Sequence, residues 1–103
     1  MYNDTNKKWK RKKGVHIMTL EFVDYYTNQK INANDKYIRF TFYELRVKNN
    51  LTEEETNKFL ELAKNKFENM QYDVYFIGDT YEYAGQEKEV EQNELMIAIK
   101  REE

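Results

Sequence analysis

Two helix starts of the same kind, eleven residues apart, are the feature that most restricts how this chain can fold. Thr41 is followed three residues later by Glu44, and Thr52 is followed in the same way by Glu55. Each pair has the pattern of a capping box, in which the hydroxyl and the carboxylate each accept from the other residue's N–H. Asn49-Asn50 lies between them and can take the left-handed conformation that ends a helix. The stretch therefore predicts a short helix, a tight turn and a longer helix.

The two predicted helices would bury different sets of side chains. The shorter one is expected over 42–48, with four inward residues, Phe42, Tyr43, Leu45 and Val47. The longer one is expected over 53–70, where apolar residues recur at helical spacing: Phe59, Leu60, Ala63, Phe67 and Met70.

After residue 70 the hydrophobic period changes from helical to alternating, which predicts a long β-hairpin. Its strands are expected over 72–83 and 87–100, with a turn at 84–86 in which Gly85 takes a positive φ. Gly78 suggests a bulge. We expect the base of the hairpin to pack on the helices through Val74, Phe76, Leu95, Ile97 and Ile99. The tip, residues 80–92, is too polar for a core and is expected to project.

The region before the first capping box is less regular. Apolar residues at helical spacing favour a first helix over 15–28, although an alternating pattern there also permits a strand. A polar loop is expected over 29–36. The next four residues predict a strand, with Ile38 and Phe40 on one face and Tyr37 and Arg39 on the other.

Charge is distributed unevenly along the chain. Residues 1–13 carry six bases and one acid, whereas residues 14–103 carry eleven bases and eighteen acids. So dense a positive run resists compaction, which predicts a flexible basic arm over 1–14 and a single domain over 15–103. The arm has two possible roles: contact with nucleic acid through Lys10, Arg11, Lys12 and Lys13, or that of a solvated tail resting on the acidic body.

Several function classes are disfavoured by what the sequence does not contain. With one histidine, no cysteine and no phosphate-binding or hydrolase motif, we expect neither an enzyme nor a metal or cofactor site. No apolar run approaches the length of a membrane span, and no signal peptide is recognisable. The expectation is a cytoplasmic protein without membrane contact.

The order helix, short strand, helix, tight turn, helix, long hairpin resembles that of winged helix-turn-helix DNA-binding domains, over about residues 18–100. The residues that carry the resemblance are the strand 37–40, the two capped helices and the hairpin 72–100. It implies an α+β fold with three helices, a short strand and a C-terminal β-hairpin wing. Length, composition and element order also resemble small transfer-accessory proteins of clostridial conjugative plasmids. That resemblance implies a dimeric relaxosome component that binds double-stranded DNA at an origin of transfer.

In this family the helix after the tight turn usually enters the major groove. Here helix 53–70 carries three bases against five acids, which opposes contact with a polyanion. Either the helix uses only its side with Lys58 and Lys64, or the contact is centred on the wing tip and the arm. We prefer the second, and the candidate contacts outside the arm and the helix are then Lys36, Tyr37, Arg39, Tyr81, Gln86 and Lys88.

The glutamates of the same hairpin oppose this assignment unless they point away. If even-numbered residues of the hairpin face one side and odd-numbered residues the other, Gln86 and Lys88 share a face with Glu82. Tyr81 then shares the other face with the remaining glutamates. A protein-interaction module with the same fold, or a small transcriptional regulator, are the alternatives. A homodimer is expected, since symmetry doubles a small number of phosphate contacts, and other plasmid-transfer proteins are possible partners.

Overall fold

The computed structural model of the protein describes residues 18–102, which form an α+β fold. The basic arm and its candidate contacts, Lys10 to Lys13, lie outside the described residues. In chain order the elements are helix α1 (Leu20–Ala33), strand β1 (Tyr37–Thr41), a π-helical segment (Tyr43–Lys48), helix α2 (Glu53–Asn69) and strands β2 (Tyr72–Tyr75), β3 (Thr80–Tyr83), β4 (Gln86–Glu89) and β5 (Glu94–Lys100). The predicted mixture of helices and antiparallel strands is confirmed.

The strands form two separate sheets. In the larger one β5 lies between β1 and β2 and pairs antiparallel with both, so that Ala98 is opposite Ile38 on one side and Val74 on the other. Among the strands of residues 18–102, β3 and β4 pair only with each other. The long hairpin predicted over 72–100 is therefore interrupted twice, at 76–79 and 90–93, and its outer half is a small sheet of its own.

Helices α1 and α2 cover one face of the three-stranded sheet. Phe40 of β1 is fully buried at the centre of this layer, with its ring centroid 5.4 Å from that of Phe59 and 6.2 Å from that of Phe67. Met96 and Ala98 of β5 belong to the same cluster. The predicted faces of β1 are confirmed, since Ile38 and Phe40 are buried whereas Tyr37 is half-buried and Arg39 exposed.

Both capping boxes form as predicted. The Thr41 N–H donates to Glu44 Oε1 at 3.0 Å and the Glu44 N–H to Thr41 Oγ1 at 3.2 Å. At α2 the corresponding distances are 2.8 Å and 3.1 Å, between Thr52 and Glu55. One left-handed residue was predicted within Asn49-Asn50, and Asn50 has a positive φ of 56°. Local sequence therefore determines where this part of the chain turns.

Thr52→Ala is expected to lower the free energy of unfolding by about 1 kcal/mol, because the N–H of Glu55 loses its acceptor at the start of α2. Urea denaturation measures the change. Thr52→Ser keeps the hydroxyl and serves as the matched control. Equal losses in the two variants would show that the methyl group, not the cap, stabilises this end of the helix.

The first helix is displaced from its predicted range. It begins after Thr19, whose hydroxyl accepts from the Phe22 N–H at 3.1 Å, and it continues to Ala33 through residues predicted to be loop. Lys30 in this last turn donates to the Arg39 carbonyl at 2.7 Å and pairs with Glu44. These contacts with β1 and the π-helical segment stabilise the last turn of α1 as helix, although its polar composition favours a loop.

The short helix is π-helical, and most of its predicted inward residues face solvent. Leu45 is buried, but Phe42, Tyr43 and Val47 are 45%, 63% and 55% exposed. The Asn49 N–H donates to the carbonyl of Glu44, five residues back, at 3.0 Å. This wider turn changes the angle between successive side chains, so a stripe drawn at α-helical spacing is wrong here. Met70 is also exposed, because it lies beyond the last turn of α2.

The base of the hairpin packs on the second face of the sheet through Tyr81 and Tyr83 of β3, whereas every residue of β4 is exposed. Val74, Phe76 and Leu95 pack on the helix-side core as predicted, but Ile97 and Ile99 belong to a separate cluster with residues of the hairpin. Successive residues of a strand face opposite sides, and Met96 and Ala98 occupy the helix side of β5. Within residues 18–102 the sheet therefore has an apolar cluster on each face, one shared with the helices and one shared with the base of the hairpin.

Candidate nucleic-acid interface

Four tyrosines join the β3–β4 hairpin to the sheet, and we call them the tyrosine clamp: Tyr37 of β1, Tyr75 of β2, and Tyr81 and Tyr83 of β3. Ring centroids are 4.8 Å apart between Tyr37 and Tyr83 and 5.4 Å apart between Tyr75 and Tyr81. The hydroxyls of Tyr37 and Tyr81 are 3.1 Å apart and share a hydrogen bond. Ile97 lies beneath them, fully buried. The clamp therefore encloses a second, smaller apolar core.

Tyr81 is not placed to contact a ligand. It is 6% exposed, and burial, followed by its hydrogen bond with Tyr37, raises the pKa of its hydroxyl well above the ordinary range. Burial likewise raises the pKa of Tyr75. The expectation that Tyr81 stands on a projecting tip is wrong. The hairpin is polar enough to project, but it also carries the aromatic rings that cover an apolar sheet face.

The turn of the hairpin decides which side chains share a face. Ala84 and Gly85 both have positive φ, 54° and 79°, as in a two-residue hairpin turn. The resulting pairs are Tyr81 with Lys88, Tyr83 with Gln86, Glu82 with Glu87, and Thr80 with Glu89. Paired residues of antiparallel strands point to the same face.

The hairpin consequently has a glutamate-free face and an acidic face. Gln86 and Lys88 share the face of Tyr81 and Tyr83, which is turned to the sheet, and both are exposed at its margin. The acidic face carries Thr80, Glu82, Glu87 and Glu89. The predicted grouping of Gln86 and Lys88 with Glu82 is wrong. Across a two-residue turn, the odd-numbered residues of β3 share a face with the even-numbered residues of β4.

Arg39 and Tyr37 lie on the hairpin side of the sheet. Arg39 pairs in register with Ile97, is exposed, and places Nη1 3.3 Å from Oε2 of the buried Glu94. Lys36, just before β1, is exposed, and its carbonyl accepts from the Lys100 N–H at 3.0 Å. Within residues 18–102 neither Lys36 nor Lys88 forms an ion pair. The structure thus brings Tyr37 and Arg39 together with the hairpin.

Lys58 and Lys64 are separated from this group by the sheet. They lie on α2, in the helical layer, and each pairs with a glutamate of the same helix: Lys58 with Glu61 at 3.6 Å, and Lys64 with Glu68 at 3.3 Å. The acidic first turn of α2 is on the same element. The candidate residues of the described region therefore divide into a hairpin group and a helix group on opposite faces of the sheet.

One surface was missed by reasoning from the sequence. The exposed side chains Phe42, Tyr43 and Val47 form an apolar strip along the π-helical segment, and the Arg46 guanidinium lies 5.3 Å from the Phe42 ring centroid. Lys48 at its end is exposed and, among residues 18–102, has no ion-pair partner. Nothing in the local sequence marks this segment as π-helical rather than α-helical.

Between residues 18 and 102 there is no cluster of three acidic or histidine side chains that could hold a metal ion. No helix in this range is both long and apolar enough to cross a membrane. Comparisons with protein-family models, with curated proteins and with solved structures found no match. The function has to be inferred from the chain's own side chains.

Proposed function

We propose that the protein binds double-stranded DNA as a winged helix-turn-helix domain. The support is topological: the order α1, β1, short helix, α2, β2, hairpin, β5 keeps the element order that carries the resemblance to this class. The helix-turn-helix is then the π-helical segment, the turn at Asn50 and helix α2. The wing is the β3–β4 hairpin. The resemblance to plasmid transfer-accessory proteins suggests a relaxosome factor at an origin of transfer.

The observation that carries the proposal is the separation of charge on the hairpin. Gln86 and Lys88 share a face from which Glu82, Glu87 and Glu89 are excluded. A lysine near a phosphate releases a counterion, and a glutamine side chain can hydrogen-bond a base edge in the groove. Because that face is turned to the sheet, Lys88 and Gln86 would meet a DNA backbone at its exposed edge and not across the acidic outer face of the hairpin.

The binding is centred on the hairpin and the basic arm rather than on α2. Helix α2 carries an acidic first turn, and two of its lysines, Lys58 and Lys64, are paired with glutamates. The arm, with Lys10 to Lys13, adds affinity that is independent of sequence and sensitive to salt. A homodimer would double the few contacts that one hairpin and one arm provide.

Lys88→Ala is expected to weaken DNA binding and to reduce the slope of log affinity against log salt by about 1, as for the loss of one phosphate contact. Lys58→Ala is the matched control: it removes a lysine that is also exposed, from the opposite layer of the molecule. Fluorescence anisotropy at several salt concentrations measures both, on duplexes enriched from a random pool. If Lys58→Ala changes the slope and Lys88→Ala does not, the contact is centred on α2 and the wing-centred proposal is wrong.

A protein-interaction module is the second candidate, and the apolar strip of the π-helical segment favours it. Three large side chains, Phe42, Tyr43 and Val47, are each about half exposed or more within six residues. Contiguous exposed apolar groups of this kind mark interaction surfaces. A duplex pool from which the full chain enriches no sequence, together with no salt-dependent binding, would favour this function over DNA binding.

A further inference from the structure

The hairpin is attached to the rest of the domain by a narrow neck and by side chains. At the neck the Val90 N–H donates to the Asp79 carbonyl at 2.9 Å, and the Gly78 N–H to the Val90 carbonyl at 3.4 Å. Beyond this neck β3 pairs with β4, and neither strand forms a ladder with β1, β2 or β5. The docking of the hairpin on the sheet therefore depends on the packing of its rings and on the hydroxyl pair.

We propose that the hydroxyl pair of Tyr37 and Tyr81 positions the hairpin for DNA binding. A two-stranded hairpin of four-residue strands is marginal alone, so what it docks against determines its orientation. Tyr37 reaches it from β1, the strand that also carries Arg39. Docking thereby fixes the direction in which Gln86 and Lys88 point relative to Arg39. This inference rests on the proposed function. The hydroxyl pair would fix the DNA-contacting side chains in place before DNA binds.

Substitution of Tyr81 can distinguish a role in positioning the hairpin from direct contact with DNA. Its side chain is 6% exposed and its hydroxyl is bonded to Tyr37, so DNA has no access to it while the hairpin is docked. Removing the hydroxyl keeps the ring against Tyr75 but leaves the Tyr37 hydroxyl without its partner in this enclosed site. Any loss of affinity in Tyr81→Phe then comes from a looser hairpin. Lys88→Ala, by contrast, removes a charge.

The test combines hydrogen exchange with DNA binding in the full chain. Tyr81→Phe and Tyr37→Phe are each expected to speed amide exchange in residues 80–89 by roughly 5-fold, while exchange in β5 stays unchanged, as for one lost hydrogen bond. DNA affinity is expected to fall by about 3-fold to 10-fold in each variant with no change in salt slope. The double variant should be little weaker than either single variant, because both remove the same hydrogen bond.

Three outcomes would overturn the proposal. Unchanged exchange over 80–89 in both single variants would show that the hydroxyl pair does not hold the hairpin. A salt slope reduced as in Lys88→Ala would show that Tyr81 acts near a phosphate. Faster hairpin exchange with unaltered affinity would show that docking does not matter for binding. If the wild-type chain binds no DNA, the proposed function fails, and positioning for DNA fails with it, whereas the exchange data still decide whether the pair holds the hairpin.

Discussion

Phe40→Ala is expected to lower the free energy of unfolding by about 3–5 kcal/mol, which is a large part of the total stability of a small domain. Phe40 is fully buried where β1 meets both helices. Its ring contacts those of Phe59 and Phe67 from α2 and that of Tyr26 from α1, whose centroid is 6.0 Å away. Truncation would leave a cavity bounded by three other aromatic rings, none of which can collapse into it without moving a helix.

Urea denaturation followed by circular dichroism measures this loss. Phe42→Ala is the matched control, because the same side chain two residues away is 45% exposed and contacts the Arg46 guanidinium rather than the core. Its expected cost is about 1 kcal/mol or less. Similar losses in the two variants would contradict the orientation of β1 and of the residue that follows it.

Ile97→Ala is expected to cost about 2–4 kcal/mol, the second largest effect, because the hairpin seals Ile97 on the side of the sheet away from the helices. Ile97 is fully buried beneath Tyr81 and Val90, outside the cluster that contains the side chains of α1 and α2. If the hairpin projected into solvent instead, this side chain would lie on an open sheet face and its truncation would have a small effect. The variant therefore tests the folded-back hairpin directly.

The measurement is again the free energy of unfolding in urea, with Ile77→Ala as the matched control. Ile77 lies in the turn that leads into the hairpin and is 53% exposed, so its truncation is expected to change stability by about 0.5 kcal/mol or less. A cost for Ile97→Ala as small as that of Ile77→Ala would mean that the hairpin spends most of its time away from the sheet. Amide exchange in residues 80–89 would then be fast in the wild-type chain as well.

The two variants also distinguish the contributions of two apolar cores to stability. Phe40 belongs to the core between helices and sheet, whereas Ile97 belongs to the core between sheet and hairpin. Truncation of Phe40 is expected to lower the stability of the domain as a whole. Truncation of Ile97 is expected to free the hairpin as well as destabilise the domain, and so to weaken the proposed DNA binding in the way expected for Tyr81→Phe.

The local sequence was sufficient for features that depend on a few neighbouring residues. The two capping boxes, a left-handed residue within Asn49-Asn50 and the positive φ of Gly85 were all predicted and are all present. Each is a short-range preference, satisfied by hydrogen bonds three residues apart or by steric freedom at one position. The faces of β1 followed equally well from the alternation of Tyr37, Ile38, Arg39 and Phe40.

Longer-range features were decided by tertiary contacts. Residues 29–33 are helical because Lys30 reaches the Arg39 carbonyl and the Glu44 carboxylate, which no local pattern reveals. The faces of the hairpin depended on the length of its turn: a change of one residue in register places Lys88 either on the face of Tyr81 and Tyr83 or on the face of Glu82.

By itself, then, the sequence determined where the two helices that follow the capping boxes begin, where the chain turns between them, and that the class is α+β. Only the tertiary structure decided that the hairpin folds back, because the apolar face formed by Ile97 and Ile99 exists only after β5 has paired with β1 and β2. Tyrosines that look like contact residues on a polar hairpin become buried once that face is present. Whether a side chain is buried depends on which surfaces pack together in the folded chain. The sequence pattern shows only which side chains are apolar enough to take part.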